Sequence, residues 1–131
     1  MLSKSPSGAL SPYYYKGGYF HGIHYGSYFS DSAALFDMMK QEEDFILKSP
    51  ERRRILIDLY ETNLTSEVME HFLTHLEHLG PRIFKLAIAT DRKSLKVLKR
   101  AIHKREKLEG VCVYFSSDME EGKTWLVSDH D

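Results

Sequence analysis

Cysteine is almost absent from the sequence, which has a single one, Cys112, among its 131 residues. One cysteine excludes an internal disulfide framework, and its scarcity favours a reducing compartment. Because Cys112 lies in an apolar run, Val-Cys-Val-Tyr-Phe, we expect it to be a small buried core residue.

Long hydrophobic runs are missing as well. No stretch approaches the roughly 20 apolar residues that span a bilayer, and the first residues lack the apolar core of a secretory signal. We therefore expect no transmembrane segment and a cytoplasmic protein. The formal net charge of -1 excludes a general attraction to polyanions, so any basic function has to be local.

The motifs of enzymes are also missing. Gly17 and Gly18 lie in a predicted hairpin, whereas a phosphate-binding loop has to connect a strand to a helix. No serine lies in a nucleophile elbow, and the one thiol belongs to a predicted core strand. We expect a protein that is not an enzyme and that needs no cofactor.

What the sequence does contain is a regular order of elements. Residues 1–11 are rich in Ser, Pro and Gly, which predicts a flexible lead-in, and residues 12–131 are predicted to form one domain. Aromatic residues crowd 13–29 on both sides of the glycine pair, which indicates two antiparallel strands joined by a tight turn. The remaining predicted elements are strands over 55–59, 83–89 and 111–115, and helices from Ser30 or Asp31 to before Pro50, over 66–79, over 91–108, and after a capping box that begins at Ser117.

Strands that alternate with helices in this way predict an α/β fold with parallel pairing. We expect a single mixed β-sheet of about five strands, an N-terminal antiparallel hairpin followed by parallel strands, with about four helices. Asp58 ends a central strand, which is where α/β folds often place functional groups.

Several strings of residues resemble the SpoIIAA-like branch of the STAS superfamily, a branch whose fold is related to that of SEC14 proteins. They are Ile-Leu-Ile-Asp-Leu (55–59), Lys-Leu-Ala-Ile-Ala (85–89), Tyr-Phe (114–115) and Glu-Glu-Gly-Lys-Thr-Trp-Leu (120–126). The predicted order of elements is also the order in that family, and the resemblance covers nearly all of the chain from residue 13. It implies a non-enzymatic bacterial regulator that acts by protein–protein contact.

The resemblance also implies a phosphoacceptor at the start of the helix after the third strand. Ser66 corresponds to that position, with Thr65 as the neighbouring candidate, and an anti-sigma factor-like kinase would be the partner. The family has an aspartate before the serine and Ser-Gly after it, whereas Thr65 precedes and Glu67 follows here. In the alternative that we favour, Thr65 caps the helix and Glu67 complements its dipole. We expect Asp58, Asn63 and Glu67 to contact the partner.

The other branch of the superfamily implies a different function, the binding of a small apolar or lipid-like molecule in a SEC14-like pocket. Tyr25, Met38 and Phe45 are the candidates for its lining. The competing interpretation is that these three side chains fill the core. An aromatic hairpin at a sheet edge also leaves backbone groups free to pair with a second copy, which allows a homodimer.

Two further patterns have less specific meanings. His71, His75 and His78 share a stripe of one helix and are weak candidates for a metal site, but no acidic or thiol ligand stands out elsewhere. The basic segment 92–107 indicates a solvated surface or a site for an acidic partner or membrane. We expect no nucleic acid as a partner, because the aromatic residues lie far along the chain from this basic segment.

Overall fold

The computed structural model describes residues 3–8 and 10–128. The strands are β1 (Ser3–Lys4), β2 (Leu10–Ser11), β3 (Tyr13–Tyr15), β4 (Gly18–His24), β5 (Arg53–Asp58), β6 (Ile83–Ala89) and β7 (Val113–Ser116). The helices are α1 (Ser32–Leu47), α2 (Ser66–Leu79), α3 (Arg92–His103) and α4 (Met119–Val127), with short 3₁₀ turns at Gly80–Arg82 and Glu106–Leu108. Within the described residues, no helix has the length and apolar character needed to cross a membrane.

Strands β3 to β7 form one mixed sheet whose order follows the chain. β3 and β4 are an antiparallel hairpin, in which Tyr15 pairs with Gly18 around the two-residue turn Lys16-Gly17. Both turn residues have positive φ, 45° and 88°, as a tight hairpin turn that matches the strand twist requires. β4, β5, β6 and β7 pair in parallel. The predicted α/β fold is therefore confirmed.

The two faces of the sheet are covered unequally. Alternation along β5 sends Ile55 and Ile57 to the face that packs against α1, α2 and α3, and this side holds the larger core. Leu56 points to the opposite face, where Phe20, Ala87 and Leu126 of α4 form a second, smaller cluster. One helix of nine residues covers that second face, so part of it remains open.

Each parallel strand leads into a helix, so all four helices begin at one edge of the sheet. We call this edge the carboxyl rim and the opposite edge the amino rim. A side-chain oxygen caps each helix by accepting a hydrogen bond from a backbone N–H within its first turn. The four caps are Asp31, Thr65, Asp91 and Asp118.

The N-terminal segment, which the composition predicts as a flexible lead-in, contributes an antiparallel pair, β1 and β2, beside β4. Three serines explain why it packs there, because their hydroxyls form hydrogen bonds with polar groups of β4, two of which are buried. Ser5 donates to the Gly22 carbonyl, and Ser7 accepts from the His24 N–H at 3.0 Å. Ser11 bonds the ring of His21. Serine-rich composition alone does not reveal such partners.

Cys112 differs from the expectation of a buried core residue, since its side chain is exposed. The last strand begins only at Val113 and lies at the edge of the sheet. Cys112 therefore belongs to the connection before β7, where its carbonyl accepts from the Leu86 N–H and its thiol lies outside the core.

Two helix ends also differ from the predicted ones. α3 stops at His103, earlier than residue 108, because the N–H groups of Lys104 and Arg105 bond carbonyls three residues back and tighten the chain. At α4 the cap is Asp118, whose carboxylate accepts from the Glu120 N–H at 2.9 Å. Ser117, the predicted start of the capping box, accepts the Tyr60 hydroxyl with its carbonyl.

Candidate functional site

The start of α2 presents the predicted phosphoacceptor pair to solvent. Thr65 has extended backbone angles, and its hydroxyl oxygen accepts from the Val68 N–H at 3.1 Å. Ser66 is the first helical residue, and its side chain is exposed. Among the described residues, the N–H groups of Ser66 and Glu67 have no acceptor. Thr65 therefore fills the role of cap, and Ser66 is the free hydroxyl.

A cleft of about 130 Å³ separates the beginnings of α1 and α2. Asn63 spans part of it by donating from Nδ2 to the Ser30 Oγ at 2.7 Å. Phe29 lines the cleft and is 59% exposed, although its φ of 52° is uncommon for a bulky residue. Backbone bonds fix it there, since its N–H donates to Glu61 and its carbonyl accepts from Asn63. Glu67 lies on the far wall.

Asp58 ends β5 at the same rim, but it is buried and engaged with a histidine. His24 Nδ1 lies 2.8 and 3.0 Å from the two carboxylate oxygens. Gly26 permits this approach, because a Cβ there would lie 2.4 Å from Asp58 Oδ1. Asp58 thus has a partner within the chain, His24, whose ring is 54% exposed, and its contact with a partner protein stays a prediction.

Beside this pair, the open part of the second sheet face forms a pocket of about 210 Å³. Its walls are apolar, and Lys123 lies at the α4 side, where its ammonium pairs with Glu120 at 3.0 Å. Within the described chain, His24 Nε2 has no hydrogen-bond partner. The residues that line the pocket are Tyr13, Phe20, Gly22, Ile23, His24, Leu56, Asp58, Met119 and Lys123.

The three histidines of α2 have protein partners that the sequence pattern did not indicate. Buried His75 bonds the Tyr25 hydroxyl through Nε2 at 2.7 Å and Glu43 through Nδ1 at 3.0 Å. His78 reaches the same carboxylate at 3.2 Å, and His71 stacks on the ring of Phe36. In the part of the chain that the structure describes, no group of three or more His, Cys, Asp or Glu could hold a metal ion.

These contacts shift the pKa of two groups. The hydrogen bond from His75 lowers the pKa of Glu43, with burial opposing it and His78 adding to it. Burial raises the pKa of the Tyr25 hydroxyl well above its usual range. Glu43 is therefore the charged group that joins α1 to α2, and Tyr25 stays a neutral hydroxyl.

The predicted lining of an apolar pocket belongs to the core. Tyr25 has no exposed surface and meets Phe72 edge to face. Met38 packs against the larger core cluster, and Phe45 stacks on the imidazole of His21 at 5.5 Å. Tyr25 is thus part of the core and Met38 and Phe45 are partly buried against it, while a ligand pocket lined by these three side chains stays a prediction.

A second buried cluster was missed by the sequence analysis. His21 Nε2 lies 3.0 Å from Glu42 Oε1, and the two side chains are 1% and 0% exposed. Burial raises the pKa of Glu42, but hydrogen bonds from His21 and Ser7 outweigh it and lower the pKa overall. One signal was present in the sequence, because Glu42 lies on the helical stripe that contains Met39 and Ile46.

Comparison with known proteins identifies no relative whose site could be compared with this one. No protein-family description, curated protein or solved structure matches the chain. The resemblance to the STAS superfamily therefore stays a prediction, and the function has to be argued from the site.

Proposed function

We propose that this chain is a non-enzymatic regulatory domain, STAS-like in character, that acts by protein–protein contact through the carboxyl rim. The surface consists of the first turn of α2 and the adjoining cleft. An anti-sigma factor-like kinase is the partner that the resemblance suggests. The observation that carries the proposal is the exposed side chain of Phe29, which lines the same cleft as Thr65 and Glu67, the two neighbours of exposed Ser66.

Phe29 has the properties of an anchor for a partner protein. Its ring is exposed while its backbone is fixed by two hydrogen bonds, so little order has to be gained on binding. Aromatic side chains of this kind are enriched at the centres of protein interfaces. The hydroxyls and amides around the cleft, including Asn63, supply the polar rim that such an interface needs.

Ser66 has the properties of a switch. A phosphate on its hydroxyl would lie at the positive end of α2, next to the two N–H groups that have no acceptor in the described residues. Glu67 follows directly and would repel the added charge, which weakens the attraction to the helix end. Phosphorylation would then change the charge of the surface around Phe29 and add little to the stability of the fold.

The proposal is tested by capture of partners from the native cell extract on immobilised wild-type, Ser66→Ala, Ser66→Glu and Phe29→Ala proteins. We expect Phe29→Ala to reduce the recovered partner about tenfold or more, as removal of an interface anchor does. Ser66→Glu should change recovery severalfold relative to Ser66→Ala, because only the former adds charge at the helix start.

Thr124→Glu is the matched control, since Thr124 is an exposed hydroxyl residue of α4, away from the carboxyl-rim cleft. It should recover partners as the wild-type protein does. Equal recovery of the same proteins by wild-type, Ser66→Glu and Phe29→Ala forms would overturn the proposal.

The alternative function, carriage or sensing of an apolar ligand, has one observation in its favour. The pocket beside α4 has apolar walls, although they are not the side chains that the sequence indicated. Its volume of about 210 Å³ lies below the roughly 300–1,000 Å³ of typical ligand sites. Native mass spectrometry would support this alternative by detecting a co-purifying molecule that is lost on Leu56→Trp substitution.

A further inference from the structure

The amino rim carries a second surface feature, an open groove of about 450 Å³ where β5 and β6 begin. Three consecutive arginines of the chain line it, Arg52, Arg53 and Arg54, against one acid, Glu51. The other lining residues are Pro12, Tyr19, Phe20, His21 and Phe84. The groove therefore combines positive charge with aromatic surface.

The arginines are held in place by neutral acceptors. Arg52 donates to the Ile83 carbonyl at 3.1 Å, Arg54 donates to the Leu126 carbonyl at 2.7 Å, and Arg53 donates to the Ser11 hydroxyl at 3.2 Å. Within residues 3–8 and 10–128, neither Arg52 nor Arg53 has a carboxylate at ion-pair distance. The guanidinium groups of Arg52 and Arg53 are therefore oriented without a paired carboxylate in the described part of the chain.

One atom in this group lacks a partner. The Nε of Arg53 is buried and has no hydrogen-bond acceptor among the described residues. A buried donor without an acceptor is uncommon and calls for an explanation such as a bound anion or water. The hydrogen bonds to carbonyls give the arginines a structural role, but they leave this Nε unexplained.

The aromatic rings of the groove remain accessible. Tyr19 is 53% exposed and meets Tyr14 edge to face at 5.2 Å. Phe84 is 43% exposed and lies under the guanidinium of Arg54, which is 4.8 Å from the ring centre. Exposed aromatic rings beside positively charged arginines are the two components with which proteins bind nucleic acid single strands.

The fold brings these components together although the chain separates them. Tyr19 and Phe20 belong to 13–29, the arginines to 52–54 and Phe84 to β6. The strands β4, β5 and β6 pair in parallel in that order, with His21 opposite Ile55 and Ile55 opposite Leu86. The basic segment 92–107 lies far along the chain from the aromatic residues of 13–29, whereas the arginines of the amino rim lie next to them in the fold.

We propose that this groove binds single-stranded nucleic acid, a function that goes beyond the proposed protein contact and uses the opposite rim. Arginine guanidinium groups hold backbone phosphates, and a base stacks on Tyr19. A duplex is a poor ligand, because its bases are already stacked and cannot reach the ring. The overall charge of -1 is consistent with binding by a local surface only.

The test is fluorescence anisotropy with a labelled oligothymidylate of about ten nucleotides, against a duplex of the same length. We expect the single strand to bind the wild-type protein more tightly than the duplex. Arg52→Gln with Arg53→Gln should weaken binding about tenfold or more and flatten the salt dependence by about 1.4 in log K per log salt, at about 0.7 per phosphate.

Two control pairs separate the groove from general charge and from folding. Lys96→Gln with Arg100→Gln removes the same charge from the exposed face of α3 and should leave affinity within about twofold. Tyr19→Phe keeps the ring and should bind the single strand as the wild-type protein does. Tyr19→Leu removes the ring and should lower the affinity for the single strand about fivefold or more.

Photo-crosslinking of the unmodified protein to a 4-thiothymidine strand gives a readout that does not depend on variants. We expect the crosslinked peptide to contain Tyr19 or Phe84. Crosslinks confined to α3, equal binding of duplex and single strand, or equal losses in the groove and α3 pairs would each overturn the proposal. Absence of binding at low salt would do the same.

Discussion

The two rims of the sheet differ in chemistry although the same strands connect them. The carboxyl rim carries the four helix starts, their caps and the exposed Ser66. The amino rim carries arginines that donate to carbonyls, among them Arg54 to Leu126 at the end of α4 and Arg82 to Ser49 just after α1. The parallel order explains the contrast, because helix starts need acceptors and helix ends need donors.

The requirements of the fold thus place hydroxyl and backbone N–H groups at the carboxyl rim and guanidinium groups at the amino rim. Thr65 uses its hydroxyl as the helix cap while Ser66 stays exposed, and the Ile83 carbonyl orients Arg52 without neutralising its charge. Each rim thus retains groups beyond those that the fold uses. We therefore propose a protein partner for the carboxyl rim and an anionic strand for the amino rim.

The largest expected effect is at the buried pair next to the arginine groove. Glu42→Ala leaves His21 buried without its carboxylate and removes the acceptor of Ser7, so we expect the free energy of unfolding to fall by about 3–5 kcal/mol. Urea unfolding measures this loss. Asp44→Ala, which breaks the exposed pair with Lys40, should leave the urea midpoint almost unchanged. Equal small losses would mean that the N-terminal segment is not docked on α1.

A smaller loss is expected at the carboxyl rim from Gly26→Ala. The new Cβ would lie 2.4 Å from Asp58 Oδ1 and 2.8 Å from the Tyr60 carbonyl, so the His24–Asp58 contact has to move. We expect a loss of about 1–3 kcal/mol in the free energy of unfolding. Gly80→Ala, where the new atom meets nothing within 4 Å, should change it by less than about 0.5 kcal/mol. If Gly26→Ala left the free energy of unfolding unchanged, the close approach of Gly26 to Asp58 would be contradicted.

Because Thr65 caps α2 and Ser66 does not, we expect substitution by Ala to cost more stability at Thr65 than at Ser66. Thr65→Ala removes the acceptor of the Val68 N–H and should cost about 1 kcal/mol in thermal or urea unfolding. Ser66→Ala should cost less than about 0.5 kcal/mol, because that hydroxyl points to solvent. If Ser66→Ala proved the more costly change, Ser66 would be the cap and the free switch position would be lost.

The smallest effect concerns the acid dependence of the α1–α2 contact. His75 lowers the pKa of Glu43, so the stabilisation is present above the ordinary carboxyl pKa and is lost as pH falls through the lowered value. Wild-type protein should therefore lose more stability than Glu43→Gln between about pH 5 and pH 3. If the urea midpoints of the two proteins changed equally with pH across this range, the charge of Glu43 would make no contribution to the stability of the contact.

The sequence predicted the framework better than the sites. Local signals predicted helix 66–79, from its apolar stripe and Gly-Pro stop, and strand 83–89, from an apolar run interrupted only by Lys85. The clusters at Glu42, Glu43 and the arginine groove depend on which elements become neighbours. Periodicity within one element contains no information about a partner 20 or 30 positions away, and polar residues on an apolar stripe give only a hint.

The separation of the two rims is tested most directly by backbone amide chemical shifts of ¹⁵N-labelled protein during titration with the single strand. We predict shifts confined to the amino rim, around Tyr19, residues 52–54 and Phe84, with residues 63–68 unchanged. Shifts that centre on residues 63–68, or that spread along α3, would contradict the assignment of different ligands to the two rims.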